Sequence, residues 1–252
     1  MIIDRIFYTL ARRWLLFFNL ALAIYVGLPM LAPVLMNAGL TGAANVIYRV
    51  YSPMCHQLAS RSFFLFGEQP AYPREIAGSD LTPIEAYMPG IPEFAGASTD
   101  PEQWSTFLIP ARAFRGNEQM GYKMALCQRD IGIYLFMLIG GLVYGVLRRR
   151  GPVRPMPFWL FLIIGLGPIA LDGFSQLFSQ MFVGLGIDSL ARLIPLRESS
   201  PLLRSLTGAI MGLSVVWLIF PRLDDQFTAT ANDIERRLAA REAAADEALS
   251  TD

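Results

Sequence analysis

From Ile131 to Leu147 the chain carries no charge, and it then stops on Arg148, Arg149 and Arg150. With the polar turn ahead of it, this run approaches the roughly 20 residues needed to cross about 30 Å of hydrocarbon, and a stop on arginines marks the end of a span at a cytoplasmic face. Three more apolar runs share the pattern: Trp14 to about Met36 behind Arg5, Arg12 and Arg13; about Pro157 to Phe178 behind Arg154; and about Leu202 to Phe220 ahead of Pro221-Arg222. A cleaved signal peptide is the rival reading for the first run, which is too long for a typical signal core. Pro29 and Pro33 are expected to kink its outer end. The predicted fold is therefore all-α: a polytopic membrane helix bundle of four transmembrane helices, with a large irregular outer loop and a C-terminal cytoplasmic helix.

Composition supports this class. The chain is 54% hydrophobic and 17% charged, with mean hydropathy +0.41, too apolar for an ordinary soluble domain. A formal net charge of zero and no basic stripe argue against a nucleic-acid partner. The arginines of the short loops all fall on one side of the predicted spans, so both termini are expected in the cytoplasm and the protein in the cytoplasmic (inner) membrane.

The chain is expected to divide into residues 1–66 (first span and an outer re-entrant or amphipathic segment), 67–122 (an extracytoplasmic loop insertion), 123–222 (a three-span core) and 223–252 (a charged cytoplasmic tail). Val46, Ile47, Val50 and Tyr51 give residues 38–66 an apolar side. Prolines and glycines break every period in 67–122, where short helices are predicted at Thr82-Pro83 and at Asp100-Pro101-Glu102-Gln103, the latter capped by Asp100. Ile234, Leu238, Ala245 and Leu249 leave the tail a weak apolar stripe. Besides the lipid bilayer, the loop 67–122 and the tail 223–252 are the surfaces expected to meet protein partners.

Chemistry-bearing residues gather at the outer level. Only two cysteines and one histidine are present. Cys127 and Asp130 are three apart and share a helix face. Cys55-His56 follows the break at Pro53, where irregular backbone is expected to turn both side chains toward one point. Asp172 lies about fifteen residues into the third span, roughly 21 Å up, where an unpaired charge costs roughly 2.5–3.5 kcal/mol. Ser175 and Gln176 follow it, and Arg129, Arg197 and Arg204 lie at the same level. Asp172 is expected to pair with Arg204 or Arg129.

These words resemble a family of bacterial membrane proteins grouped as domain of unknown function 2085. The resemblance rests on Cys55-His56-Gln57, Arg61-Ser62-Phe63, Cys127-Gln128-Arg129-Asp130-Ile131-Gly132-Ile133-Tyr134, Leu171-Asp172-Gly173-Phe174-Ser175-Gln176, Arg197-Glu198-Ser199 and Leu203-Arg204-Ser205-Leu206-Thr207-Gly208. It covers about residues 50–68 and 120–212. Asp130 stands where the family pattern has the second cysteine of Cys-x-x-Cys, and residues 69–119 look inserted. The resemblance implies no activity; it implies that the pocket residues belong together.

Thiolate, imidazole and carboxylate are zinc-ligand types, so Cys55, His56, Cys127 and Asp130 form the expected metal set, for zinc or another divalent metal. A Cys55–Cys127 disulfide is the alternative, and two inert thiols the bland one. The favoured function is a non-catalytic scaffold or complex subunit with a structural metal pocket. The others are a small-molecule or ion carrier using Asp172 and Arg204, and a metal- or thiol-dependent membrane enzyme. Nucleotide-binding and zinc-protease motifs are absent.

Overall fold

The computed structural model describes residues 2–250, apart from the side chains of Ile2, Asp188 and residues 242–250. Four helices among the described residues are long and apolar enough to cross a bilayer: Ile3–Asn37, Gln128–Leu147, Phe158–Gly184 and Pro201–Arg241. Their outward side chains, such as Leu20, Ile24, Leu142, Ile163, Phe174 and Leu213, are exposed, as a lipid-facing surface requires. The all-α, four-span bundle expected from the sequence is what the chain forms.

Helix α1 (Ile2–Asn37) stays helical through Pro29 and Pro33, and the kink it does carry is at Arg13 (φ −114°, ψ 17°). Both prolines are fully buried, and neighbouring elements hold the turn that two missing N–H groups would loosen. Helix α2 (Thr41–Tyr51) turns its buried face, Ala44, Tyr48 and Tyr51, onto the bundle, leaving Val46 and Val50 exposed. Of the apolar side read from the sequence, Tyr51 is buried and Ile47 packs against the same core, while the two valines face outward. The tyrosines win the inward face because each hydroxyl reaches a carbonyl: Tyr51 donates to Tyr25 O at 2.8 Å, and Tyr48 donates to Lys123 O.

The outer segment then forms a strand, β1 (Ser62–Leu65). After it come a series of 3-10 turns and helix α3 (Trp104–Ala113). The Asp100 carboxylate accepts from Glu102 N at 3.0 Å and so caps the turn leading into α3. Strands β2 (Gly116–Asn117) and β3 (Gly121–Cys127) complete an antiparallel sheet of order β1-β3-β2, in which Ser62 faces Cys127 and Phe64 faces Lys123. Gly121 is required here: its φ is +72°, and a Cβ would collide with Leu65 O and Gly67 N. The segment has its own core of Phe64, Tyr72, Ile84, Phe94, Phe107 and Phe114. Beneath Phe107 lies a buried Arg74–Glu85 ion pair, with the guanidinium 4.2 Å from the ring centroid.

Helix α4 (Gln128–Leu147) follows β3 directly. The third span joins α5 (Phe158–Leu160), a π-helical turn at Phe161–Leu166 and α6 (Gly167–Gly184). Pro168 has no N–H to continue an α-helical pattern, and Gly167 N bonds Leu162 O five residues back. Helix α7 (Asp188–Leu193) precedes α8 (Pro201–Ser250), which runs through Pro221 without a break. The tail is therefore not a separate helix. It lies along the start of α1 through Arg12–Glu235 (3.0 Å) and Asp4–Arg241 (3.1 Å), while Phe227 stacks on Trp14. Of its expected stripe, the side chains of Ala245 and Leu249 lie outside the described residues. The end where α1 begins and α4 stops is called proximal below, and the sheet end distal.

Candidate functional site

The distal site starts from how the chain leaves α2. Cys55 N bonds back to Tyr51 O at 3.1 Å. Gln57 then takes a left-handed conformation (φ +52°), uncommon for a residue with a side chain. Three contacts hold it there: Gln57 Nε2 donates to Tyr48 O (2.9 Å), Gln57 N donates to Cys55 Sγ (3.4 Å), and Gln57 O accepts from Lys123 Nζ (2.6 Å). The turn buries Cys55 and leaves His56 exposed. Consecutive side chains on such a segment diverge, so His56 does not join Cys55 at one point as expected; it lines the mouth of the same pocket.

Cys127 closes β3, and Asp130 sits in the first turn of α4. The spacing works as read: Cys127 Sγ donates to Asp130 Oδ2 at 3.1 Å. Cys55 Sγ accepts from Cys127 N at 3.3 Å. Donor atoms of Cys55, Cys127 and Asp130 all lie within 4.8 Å of one another, and both cysteines are free thiols. The pair is asymmetric. Contact with the Cys127 side chain lowers the Cys55 thiol against its burial, with the Gln57 N–H assisting. Cys127 is pushed well up by the same contact, then by burial and the neighbouring Cys55 and Asp130. The two shifts run in opposite directions, and the crowding of negative charge makes Cys127 the harder of the two to deprotonate. A divalent cation supplies the charge that would release its proton.

The pocket above these donors has a volume of about 220 Å³, with His56, Arg61, Arg129 and Arg204 in its wall. Behind it runs an ion network. Asp172, buried, accepts from Arg129 Nη2, from Arg197 Nη2 (3.0 Å) and from Ser199 Oγ (2.5 Å). Arg204 reaches Gln176 Oε1 (3.1 Å), Glu198 Oε1 (3.1 Å) and Ser199 O (3.0 Å). Arg61 joins from the 3-10 turn just ahead of β1, 3.0 Å from Glu198 Oε1. Of the two expected partners of Asp172, the structure brings Arg129 to it; Arg204 belongs to Glu198. Gln176, Arg197 and Arg204 lie in the network as expected, while Arg129 Nε and Gln176 Nε2 are buried without a partner in it.

Lys123 was missed by sequence reading. Its signal is that it is the chain's only lysine among 21 basic residues. It is fully buried (0% exposed) and donates to Gln57 O (2.6 Å), Arg112 O (2.8 Å) and Ala111 O (3.2 Å), tying β3, α3 and the Cys55 turn together. Three acceptors favour the ammonium, but burial acts more strongly. It lowers the group to about 7, with Arg115 and Arg112 adding to the shift and Cys55 opposing it. The free value is about 10.4, so between about 7 and 10.4 the unfolded chain binds more protons than the folded one. Stability is expected to rise with pH across that window and to be flat on this account below it, where both states are charged. Unfolding midpoints of the wild type and Lys123→Met from pH 6 to 10 check this: their difference should shift toward the wild type as pH rises. A constant difference contradicts it.

Residues 110–218 match the family model described as predicted membrane protein (DUF2085). The match takes in Cys127, Arg129, Asp130, Asp172, Gln176, Arg197 and Arg204, but not Cys55 or His56. The chain is also similar to the uncharacterized protein MJ1492 of Methanocaldococcus jannaschii, 29% identical over 175 residues, which are 69% of this chain and 67% of that protein. No solved structure matches. The ordered words Cys127–Tyr134, Leu171–Gln176 and Leu203–Gly208 fall inside the matched stretch, so residues 110–218 are similar to the DUF2085 family of predicted membrane proteins.

Proposed function

We propose that the protein is a non-catalytic scaffold or complex subunit of the cytoplasmic membrane, with both termini inside and a structural metal centre at the outer end. Cys55, Cys127 and Asp130 would hold the metal, zinc or another divalent ion, with His56 the residue available as fourth donor. The observation that carries this reading is the convergence of two thiols and a carboxylate within 4.8 Å from three separate places: the turn after α2, the end of β3 and the first turn of α4. An ion there would pin the sheet domain to the bundle. Metal analysis of purified full-length protein should give about one divalent ion per chain. Cys127→Ser should lose it, and Asp130→Cys should keep or tighten zinc, since thiolate is the softer ligand. Full occupancy in Cys127→Ser would sink the proposal.

Orientation has its own test. Glu93 is exposed in the sheet domain, and Glu93→Cys should react with an impermeant maleimide in intact cells above the wild-type background. Reaction only after lysis would place the site in the cytoplasm.

A second reading, a metal-dependent membrane enzyme, draws support from one observation: among the described residues only three donors converge, and a pocket of about 220 Å³ opens above them. Three protein ligands with an open position is the arrangement of catalytic zinc. The carrier reading loses support, because Asp172 and Glu198 are each held by two arginines, leaving neither free to exchange a substrate.

A further inference from the structure

The proximal end holds a second feature, independent of the metal pocket. A groove of about 310 Å³ opens between α1 and α4, with Arg12, Arg13, Arg148 and Arg149 along it. Gly141 and Gly145 form part of its floor, and Leu16, Leu142 and Val146 give it apolar walls. Two of the four cations are already used: Arg12 is paired with Glu235 (3.0 Å) and Arg148 with Asp224 (2.5 Å). Arg13 and Arg149 are exposed and have no ion-pair partner among the described residues.

Arginines at this end are what topology alone requires, so the charge by itself assigns nothing. Asn19 is the second observation. It lines the same groove and is 9% exposed, and its Oδ1 is buried without a hydrogen-bond partner. An unpartnered amide at this depth is costly, and topology gives no reason for it. On a helix it lies about 9 Å deeper than Arg13. The groove therefore has cations at the surface, apolar walls, and deeper in an amide whose unmet oxygen is buried against Gly141 of the floor. A phospholipid has matching parts: a phosphate, then the glycerol ester groups, then acyl chain. The amide's oxygen and nitrogen are interchangeable in assignment, so Asn19 can donate to an ester carbonyl as well as accept from a hydroxyl.

We propose that the groove between α1 and α4 is a binding site for an anionic phospholipid, with Arg13 and Arg149 on the headgroup phosphate and Asn19 at the ester level. Basic pockets between membrane helices are a recognised way of holding anionic headgroups. The full-length protein in detergent is titrated with phosphatidylglycerol, phosphatidylcholine or inorganic phosphate, and binding is followed by native mass spectrometry and by the unfolding midpoint. Phosphatidylglycerol should bind at least ten-fold more tightly than phosphatidylcholine and raise the midpoint. Arg13→Ala with Arg149→Ala, a change at exposed residues that leaves the packing intact, should remove most of that preference. Gly145→Leu keeps all four arginines but fills the floor, and should lose it as well. Equal binding of the two lipids would overturn the proposal, as would a preference that persists in Gly145→Leu, which would be general surface attraction. An equal response to inorganic phosphate would assign the groove to a free anion instead.

Discussion

Asp172→Ala is expected to cost on the order of 3–5 kcal/mol of stability, the range for removing one partner of a buried ion pair. It strips two guanidinium groups at once. The larger part of the loss should come from Arg129, whose side chain is 24% exposed, since Arg197 at 36% retains more water. Asp172→Asn keeps the shape and some of the hydrogen bonds, and should lose less. Denaturant unfolding in detergent measures each change. The double mutant with Arg129→Ala should recover part of the cost, and by more than the double mutant with Arg204→Ala, because Arg204 answers to Glu198. Equal recovery from both would mean that the network acts as one pool of charge rather than as the pairs described.

The other large effect is expected where α4 crosses α8. A Cβ at Gly208 would collide with Arg129 O, and one at Gly212 with Ile133 O; at Gly132 it would stand 2.7 Å from Ser205 O. These are backbone atoms, so no side-chain rotation relieves them and the helices must part. Parting them also drags Arg129 and Cys127 from their partners. Gly208→Ala is expected to cost about 1–3 kcal/mol, and Gly208→Leu to prevent accumulation of folded protein. Gly42→Ala, with nothing within 4 Å of the added atom, is the matched control. If Gly208→Leu were as stable as that control, the close crossing would be wrong.

Both effects bear on what the residues alone could show. The spans were legible because twenty apolar residues ending on arginine admit few other structures. So were Cys127 with Asp130 and the gathering of Asp172, Gln176, Arg197 and Arg204, because helical spacing and depth in the bilayer follow from counting. The pairing of those charges was not: Glu198 enters from an irregular connection, and Arg61 from a short 3-10 turn just ahead of β1. The sheet itself was hidden because its strands are short and β3 runs straight into α4, so their pattern reads as the head of a helix. His56 was misplaced for a related reason. A proline break frees the backbone, but only the turn at Gln57, fixed by Lys123 from β3, decides that Cys55 goes in and His56 stays out.

The two thiols and the carboxylate converging at the head of α4 are proposed as one coordination site. X-ray absorption at the edge of the metal bound to purified full-length protein tests it most directly. Two sulfur neighbours are expected at about 2.3 Å and lighter atoms at about 2.0–2.2 Å, with the sulfur signal halved in Cys55→Ser. A first shell of nitrogen and oxygen alone, with Cys55 and Cys127 recovered as a disulfide, would contradict it.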